Sequence, residues 1–383
     1  MKTLHCLFAL ICLLSCDNSS KNKVNSKFET ISLETNITPK LSDFVDDDFD
    51  LVTLEMNEDC TIGIVNKVEI VDNEIFVLDA FISNSIFVFD LKGKFKRKID
   101  NKGKGPGEYI QLYSFCTDKD KDLIYLLDNG SSKLLKYSLK EFKFKEEYKL
   151  PFDALSLTLS ESGDLIFYCT QYTDKNYCYN VIVTSGNLTV KKKLIKQDKE
   201  KMHSVGMVSN NRGCMCNGYY VFNPTFSSEF YKLNKNYDLE SYLKFDFGDI
   251  GMPTNDFFTS TSKVLKDLSR SEFVNHVDIL ETKEYIYLKY LQRRKEHVGI
   301  YSKKQDKILA SCIAADIVDD IGILAFNSPD FVSGEYFISV LSSHSIVEKN
   351  TDPLKSDTHP KLHDLINRIN EEANPILMIF KMK

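Results

Sequence analysis

The sequence predicts an all-β fold, a six-bladed β-propeller of four-stranded antiparallel blades, on three observations. A unit of four short strands repeats along the chain, many of those strands are apolar on both faces, and strand-like segments stand near both ends where they can share one blade. Radial repetition of small sheets leaves only short, protected edges. A strand wedged between two neighbouring sheets must be apolar on both sides, whereas a half-solvated strand would alternate.

The first unit runs from Lys67 to Ile99 and the second from Tyr113 to Leu150. Each opens with a short apolar strand, turns through Asp, Asn or Lys, and continues in a strand closing in Leu-Asp, at Leu78-Asp79 and Leu127-Asp128. A third strand carries an aromatic, Phe89 in one unit and Tyr137 in the other, and a polar turn leads to the fourth. Ile75-Phe76-Val77-Leu78 and Ile86-Phe87-Val88-Phe89 are the doubly apolar runs. Four looser units follow, Phe152 to Ile195, Gly206 to Phe247, Phe273 to Cys312, and one beginning at Ile321. Turn residues separate the strands throughout.

The last unit has too few strands before Val347, and the two chain ends supply the remainder. Pro375 to Met382 reads as a strand, and so does Phe49 to Met56; both are expected in the last blade, with the N-terminal strand outermost. That arrangement closes the ring without an open junction. Two helical insertions are expected, near 260–273 and 360–373. The first places Val264, Leu265, Leu268 and Phe273 near helical spacing; the second has Thr358 as its cap, Pro360 in its first turn, and Leu362, Leu365, Ile366 and Ile369 on one face. They read as covers over loops at the rim, with a gate over the central channel as the alternative.

Ahead of the strands, residues 1–15 read as an export signal. Leu4 to Leu14 is apolar but too short to span a bilayer as a helix. The run ends in Leu13-Leu14-Ser15-Cys16, which resembles a bacterial lipobox, so Cys16 is the expected lipidation site and the first residue of the mature chain. Residues 16–27 then form a polar tether, and 28–383 form the propeller domain. A diacylated or triacylated cysteine anchors a protein stably without any spanning helix.

A formal charge of −6 with mixed signs gives no reason to expect nucleic acid. Trp is absent, while 19 Tyr and 26 Phe favour strands over helices. After Cys16 the cysteines are Cys60, Cys116, Cys169, Cys178, Cys214, Cys216 and Cys312, an odd set with irregular spacing that indicates no disulfide framework. Most read as small buried strand residues; Cys214 and Cys216, two apart in one strand, are poorly placed to pair, while Cys169 and Cys178 could bridge a hairpin.

With the lipobox and repeats in view, the sequence resembles a family of Bacteroidota lipoproteins with six-bladed propellers, distant in pattern from NHL repeats. The resemblance is carried by Lys67-Val68 leading to Ile75-Phe76-Val77-Leu78-Asp79, by Ile86-Phe87-Val88-Phe89-Asp90, and by the loop Gly103-Lys104-Gly105-Pro106-Gly107-Glu108-Tyr109. Asn374-Pro375-Ile376-Leu377 also matches, and the likeness covers Phe49 to Lys383. It implies the fold and a cell-envelope location, and from it an outer-membrane site is expected. It implies no reaction.

Candidate functional residues are dispersed. The Gly103–Tyr109 loop lacks the Lys-Ser/Thr ending of a phosphate-binding loop and reads as a crossover between blades. Its functional reading has Glu108 and Tyr109 facing the channel and a ligand. Asp79 and Asp128 read as acceptors for the backbone of the following turn. Asp46-Asp47-Asp48 is acidic enough to attract a cation such as calcium, but it has no calcium-loop pattern and reads as a solvated face. His359 and His363 read as a surface pair, while His203, His276, His297 and His344 fall in different units, with His203 and His276 considered as ligand-facing. Arg293-Arg294-Lys295-Glu296-His297 lies at a hairpin tip, where Arg293 and Arg294 could meet an anionic sugar or an acidic partner. The expected function is a membrane-tethered binding or scaffolding module for a glycan, peptide or envelope protein. The alternative is a hydrolase or lyase acting on saccharide or peptide at the axial channel, and the choice between enzyme and non-enzyme stays open.

Overall fold

A computed structural model describes residues 27–33, 36–169, 176–197, 213–248, 250–251, 273–323, 326–350 and 359–383. The chain begins with β1 (Glu29–Ser32) and β2 (Asp50–Thr53) before entering the repeats. Blade 1 is β3 (Lys67–Val71), β4 (Glu74–Asp79), β5 (Ser85–Asp90) and β6 (Phe95–Ile99). Blade 2 is β7 (Leu112–Asp118), β8 (Leu123–Asp128), β9 (Lys133–Ser138) and β10 (Phe144–Lys149). Blade 3 is β11 (Ser156–Leu159), β12 (Leu165–Tyr168), β13 (Tyr179–Thr184) and β14 (Val190–Lys196). Blade 4 is β15 (Cys214–Cys216), β16 (Tyr219–Phe222), β17 (Glu229–Leu233) and β18 (Leu239–Asp246). Blade 5 is β19 (Asn275–Glu281), β20 (Tyr285–Gln292), β21 (Lys295–Ser302) and β22 (Lys307–Ile313).

Blade 6 is assembled from both ends of the chain. Its strand order is β23 (Phe331–Ser333), β24 (Tyr336–Leu341), β25 (Ile376–Phe380) and then β2 on the outside. β2 runs antiparallel to β25, with Asp50 opposite Ile379 and Thr53 opposite Ile376. The N-terminal strand is therefore the outer member, as its sequence position near Phe49 predicts.

Doubly apolar strands are explained by what each face meets. From blade 1, Phe76, Leu78, Ile86 and Val88 pack with Phe115, Leu126 and Leu135 of blade 2. The alternate residues Ile75, Val77, Phe87 and Phe89 pack with Phe331, Ile338, Leu377 and Ile379 of blade 6. Four further cores fill the remaining junctions, so the ring is closed by six inter-blade cores. Each fully buried Val, Leu, Ile or Phe contributes roughly 1.5–3 kcal/mol. The first strand of each blade lies innermost: β11, β7, β3, β23, β19 and β15 follow one another around the axis, each touching the next.

The N-terminal segment adds a feature beyond the repeat. β1 pairs in parallel with β18 at the outer edge of blade 4, Ile37 bridges Ser311 on the outer strand of blade 5, and Val45 bridges Met382 beside blade 6. Residues 29–33 and 36–53 thus run as a strap along the outside of three blades.

Two helices lie within blade 6, between β24 and β25: α1 (Ser343–Asn350), which the sequence reading does not anticipate, and α2 (Pro360–Ile366). α2 is shorter than the expected 360–373, and its cap is His359, whose Nδ1 accepts from the Lys361 N–H at 3.2 Å. Leu362 and Leu365 bury against the core shared with Phe49, and Lys361 donates to the Phe49 carbonyl, so α2 covers the rim of blade 6. Residues 260–272 of the expected helix, along with Thr358, Cys16 and His203, lie outside the described residues. No helix among the described residues is long and apolar enough to cross a membrane. Cys169 stands opposite Asn180, with its N–H on the Asn180 carbonyl, rather than opposite Cys178. The register therefore forbids the hairpin disulfide, and Cys169 remains a buried thiol.

Candidate functional site

In every blade the hairpin between the second and third strands and the crossover to the next blade emerge at the same end of the sheet, the upper face. Buried carboxylates stitch that face together. Asp79 accepts from the N–H groups of Gly63, Ile82 and Ser83 at 2.8, 3.0 and 3.1 Å. Asp128 accepts from Gln111, Gly130 and Ile110 at 2.8, 3.0 and 3.1 Å. Each carboxylate ties an incoming crossover to the hairpin beside it, which accounts for the repeated Leu-Asp.

The Gly103–Tyr109 crossover is held from within. Glu108 Oε2 accepts from the Gly105 N–H at 2.7 Å, and Gly107 donates to Glu147 at 3.1 Å. Tyr109 is fully buried, its hydroxyl 3.0 Å from the Asn84 carbonyl and 3.1 Å from that of Ile99; burial pushes its pKa up. The Tyr109 phenol is thus committed to the blade junction and does not line the channel, a correction to the ligand-facing reading. Its size and two carbonyl acceptors make it a packing anchor.

Near the axis, Lys67 on β3 leans across to the innermost strands of the next two blades. Its ammonium donates to the carbonyls of Phe115 and Leu157 at 2.6 and 2.9 Å and pairs with Glu69 at 3.1 Å. Glu69 in turn accepts from the N–H and hydroxyl of Thr117 at 3.2 and 3.0 Å. Blades 1 to 3 are cross-linked through the region where an axial ligand channel was expected.

A cavity of about 930 Å³ opens on the upper face between blades 5 and 6. It runs from Leu41, in the strap, to Asp330 at the start of innermost β23. Ile313, Ile317 and Phe326 supply apolar wall, while Lys295, Glu296, Asp316 and Asp319 are polar groups along it. Ser42 fastens the strap beside the cavity, giving its N–H and hydroxyl to Asp320 at 3.0 and 2.6 Å.

At the inner end, the Lys289 ammonium donates to Asp330 Oδ1 at 2.9 Å. Burial opposes the charge on Lys289, but Asp330, with Glu296 and Asp278 nearby, outweighs it and raises the pKa. Ser328 and Tyr287 are buried there at 8% and 0% exposure. Their hydroxyls lie beside one another, yet neither makes a hydrogen bond of ordinary geometry. Both oxygens are shut off from solvent, and Tyr287 lies behind the cavity wall rather than in it. His297, on β21, stacks on Tyr290 at 5.1 Å; burial and Lys295 lower its pKa, against the pull of Asp316.

Arg293 and Arg294 form the two-residue turn between β20 and β21, both at positive φ (50° and 65°), immediately before Lys295. They are the sequence candidates that stand next to the cavity. His276 sits at φ 52° in innermost β19, where the pairing with β20 shifts register, and is not among the cavity-lining residues. Glu108 and Tyr109 belong to the junction of blades 1 and 2. Lys289, Ser328 and Asp330 were missed from sequence. A lysine inside Tyr285-Ile286-Tyr287-Leu288-Lys289-Tyr290-Leu291 is a usable signal, because a buried charge needs a partner. Among the described residues, no three His, Cys, Asp or Glu side chains gather as a metal site, and Asp46 accepts locally from the Asp48 N–H at 3.2 Å.

Residues 28–381 match the family model described as domain of unknown function DUF4934. The chain belongs to the DUF4934 family. No curated protein matches the sequence. Among solved structures, this DUF4934 member is similar to a protein of Bacteroides fragilis described as exported, at 22% identity and a TM-score of 0.80, covering 93% of this chain and 100% of that one. It is also similar to a member of the DUF4221 family from Bacteroides vulgatus, at 10% identity and a TM-score of 0.52, covering 89% of this chain and 97% of that one. At these identities both show the shared propeller architecture.

Proposed function

We propose that this protein is a binding module of the cell envelope, held to the outer membrane by lipidated Cys16, with its ligand site in the cavity between blades 5 and 6. The observation that carries the reading is an open cavity of about 930 Å³ that sets the apolar side chains of Ile313, Ile317 and Phe326 beside the charged groups of Lys295, Glu296, Asp316 and Asp319. Its size falls in the range of roughly 300–1,000 Å³ typical of small-molecule and short-chain sites, and it combines apolar wall with a few placed polar groups. Arg293 and Arg294, at the adjoining hairpin tip, extend that surface outward. The likeness to a protein described as exported supports the envelope location, and the lipobox-like Leu13-Leu14-Ser15-Cys16 supports the anchor.

Ala315 is an exposed lining residue, so Ala315→Trp fills the cavity without disturbing a core. Glycan arrays and short peptide pools probed with the full chain should give hits that Ala315→Trp removes while the melting temperature holds. Hits retained equally by both proteins would place binding elsewhere and defeat the assignment.

A further inference from the structure

We propose that Ile64, Phe81, Ile82 and Ile110, on the upper face of blades 1 and 2, rest in the interface of a lipid bilayer as a second membrane contact; the inference rests on the reading of Cys16 as the lipidated anchor. These side chains are 44%, 50%, 67% and 42% exposed. Polar residues ordinarily fill such tips, as Asn129-Gly130-Ser131-Ser132 does in the matching hairpin of blade 2. Apolar side chains scattered singly over a surface need no explanation, but these are gathered in one place.

Contiguity and rigidity set them apart. Gly63 packs so closely on Ile82 that a Cβ there would lie 2.6 Å from its side chain, which brings Ile64 beside the hairpin tip. The Phe81 ring stands 6.2 Å from that of half-buried Tyr113. Asn84 joins the hairpin to the next crossover, donating to the Ile110 carbonyl at 2.8 Å and accepting from the Leu112 N–H at 2.9 Å. Buried carboxylates hold the backbone beneath. Asp79 accepts from the N–H of Ile82 at 3.0 Å, and Asp128 from that of Ile110 at 3.1 Å. The apolar tips are therefore fixed before any partner arrives, which removes most of the ordering cost of binding.

The size of the patch selects its occupant. A stable interface with a folded protein or a second copy takes roughly 20–30 residues a side, far more than these tips supply. Peptides dock in a groove or on an open strand edge, and the patch is neither. A bilayer interface needs only a few apolar side chains when another anchor already holds the chain nearby. The eleven residues from Asp17 to Lys27 span at most about 40 Å, so an anchor on Cys16 keeps β1, across the ring on blade 4, within about that distance of the lipid. Within that reach a weak second contact forms as an intramolecular event, and needs little affinity of its own.

Trp is absent from the sequence, so a single introduced indole reports its own surroundings. The full lipidated chain is reconstituted on phosphatidylcholine liposomes as Ile82→Trp and, on the lower face, as Tyr336→Trp, which replaces another exposed side chain. Emission from Ile82→Trp should shift to shorter wavelength and be quenched by brominated lipid, while Tyr336→Trp stays unshifted and unquenched. In sedimentation, the Cys16→Ala chain should bind the same liposomes weakly. Adding Phe81→Ser or Ile82→Ser should each weaken that binding about tenfold, at low and high salt alike, with the melting temperature unchanged. Equal quenching of both indoles, or of neither, on a chain shown by labelled fatty acid to be lipidated would overturn the membrane contact and leave the Cys16 anchor standing. A dimer that Ile82→Ser dissolves, with no quenching, would assign the patch to a second copy and overturn it too. A chain that takes up no fatty acid overturns the anchor and this inference with it.

Discussion

Glu74, at the start of β4, receives Arg97 through two hydrogen bonds of 2.9 and 2.7 Å, with the Lys96 ammonium 2.5 Å away. The bidentate guanidinium is the main cause, and burial only partly opposes it; together with Lys96 it lowers the Glu74 pKa from 4.5 to about 2. The unfolded chain therefore binds a proton before the folded one does. Stability from this pair is complete above pH 4.5 and drains away as the pH falls through about 2. Glu74→Gln should flatten the dependence of melting temperature on pH across that window and lower stability near pH 7 by about 1–2 kcal/mol. Thermal melts from pH 2 to 7 check both; an unchanged acid limb would show that the pairing is silent.

At the level of single elements, the crossover from blade 1 to blade 2 depends on Gly107. Its φ is +75°, and a Cβ there would lie 2.7 Å from the Phe144 ring on β10. Gly107→Ala should destabilise by about 1–3 kcal/mol through strain and displacement of that ring. Chemical denaturation would read this as a lower midpoint with an unchanged slope. Elements were legible in the sequence where packing alone dictates them. Ile75–Leu78 and Ile86–Phe89 have no stable home except between two sheets, and the apolar segment around Ile376 needed a partner that only Phe49–Met56 supplied. β1 was not legible, because Glu29-Thr30-Ile31-Ser32 is short and mostly polar and becomes a strand only on the open edge of β18. α1 escaped for a similar reason: of its residues Ile346 is the one buried apolar anchor, too little for a helical pattern. The cavity was the least legible feature. Its walls come from residues near 41, 295, 315 and 328, and only ring closure brings those stretches together.

For the molecule as a whole, each blade buries both faces against its neighbours and the chain ends meet in blade 6, so stability is a property of the closed ring. A lipid on Cys16 would hold that ring by a tether joined to the strap outside blade 4. Cys16→Ala should abolish incorporation of a labelled fatty acid and move the protein from the membrane to the soluble fraction, with its melting temperature unchanged. Retention in the membrane by the variant would show that something other than this cysteine anchors the chain.

The parallel pairing of β1 with β18 also has a mechanical meaning. Tension applied ahead of Lys27 arrives first at four paired residues, Glu29 to Ser32, and not at the β2–β25 seam that shuts the ring. Those few hydrogen bonds can give way and lengthen the leash while the seam stays under no load. If the lipid sits on Cys16, the strap would act as a sacrificial link, letting a tugged domain reach farther from that anchor without coming apart.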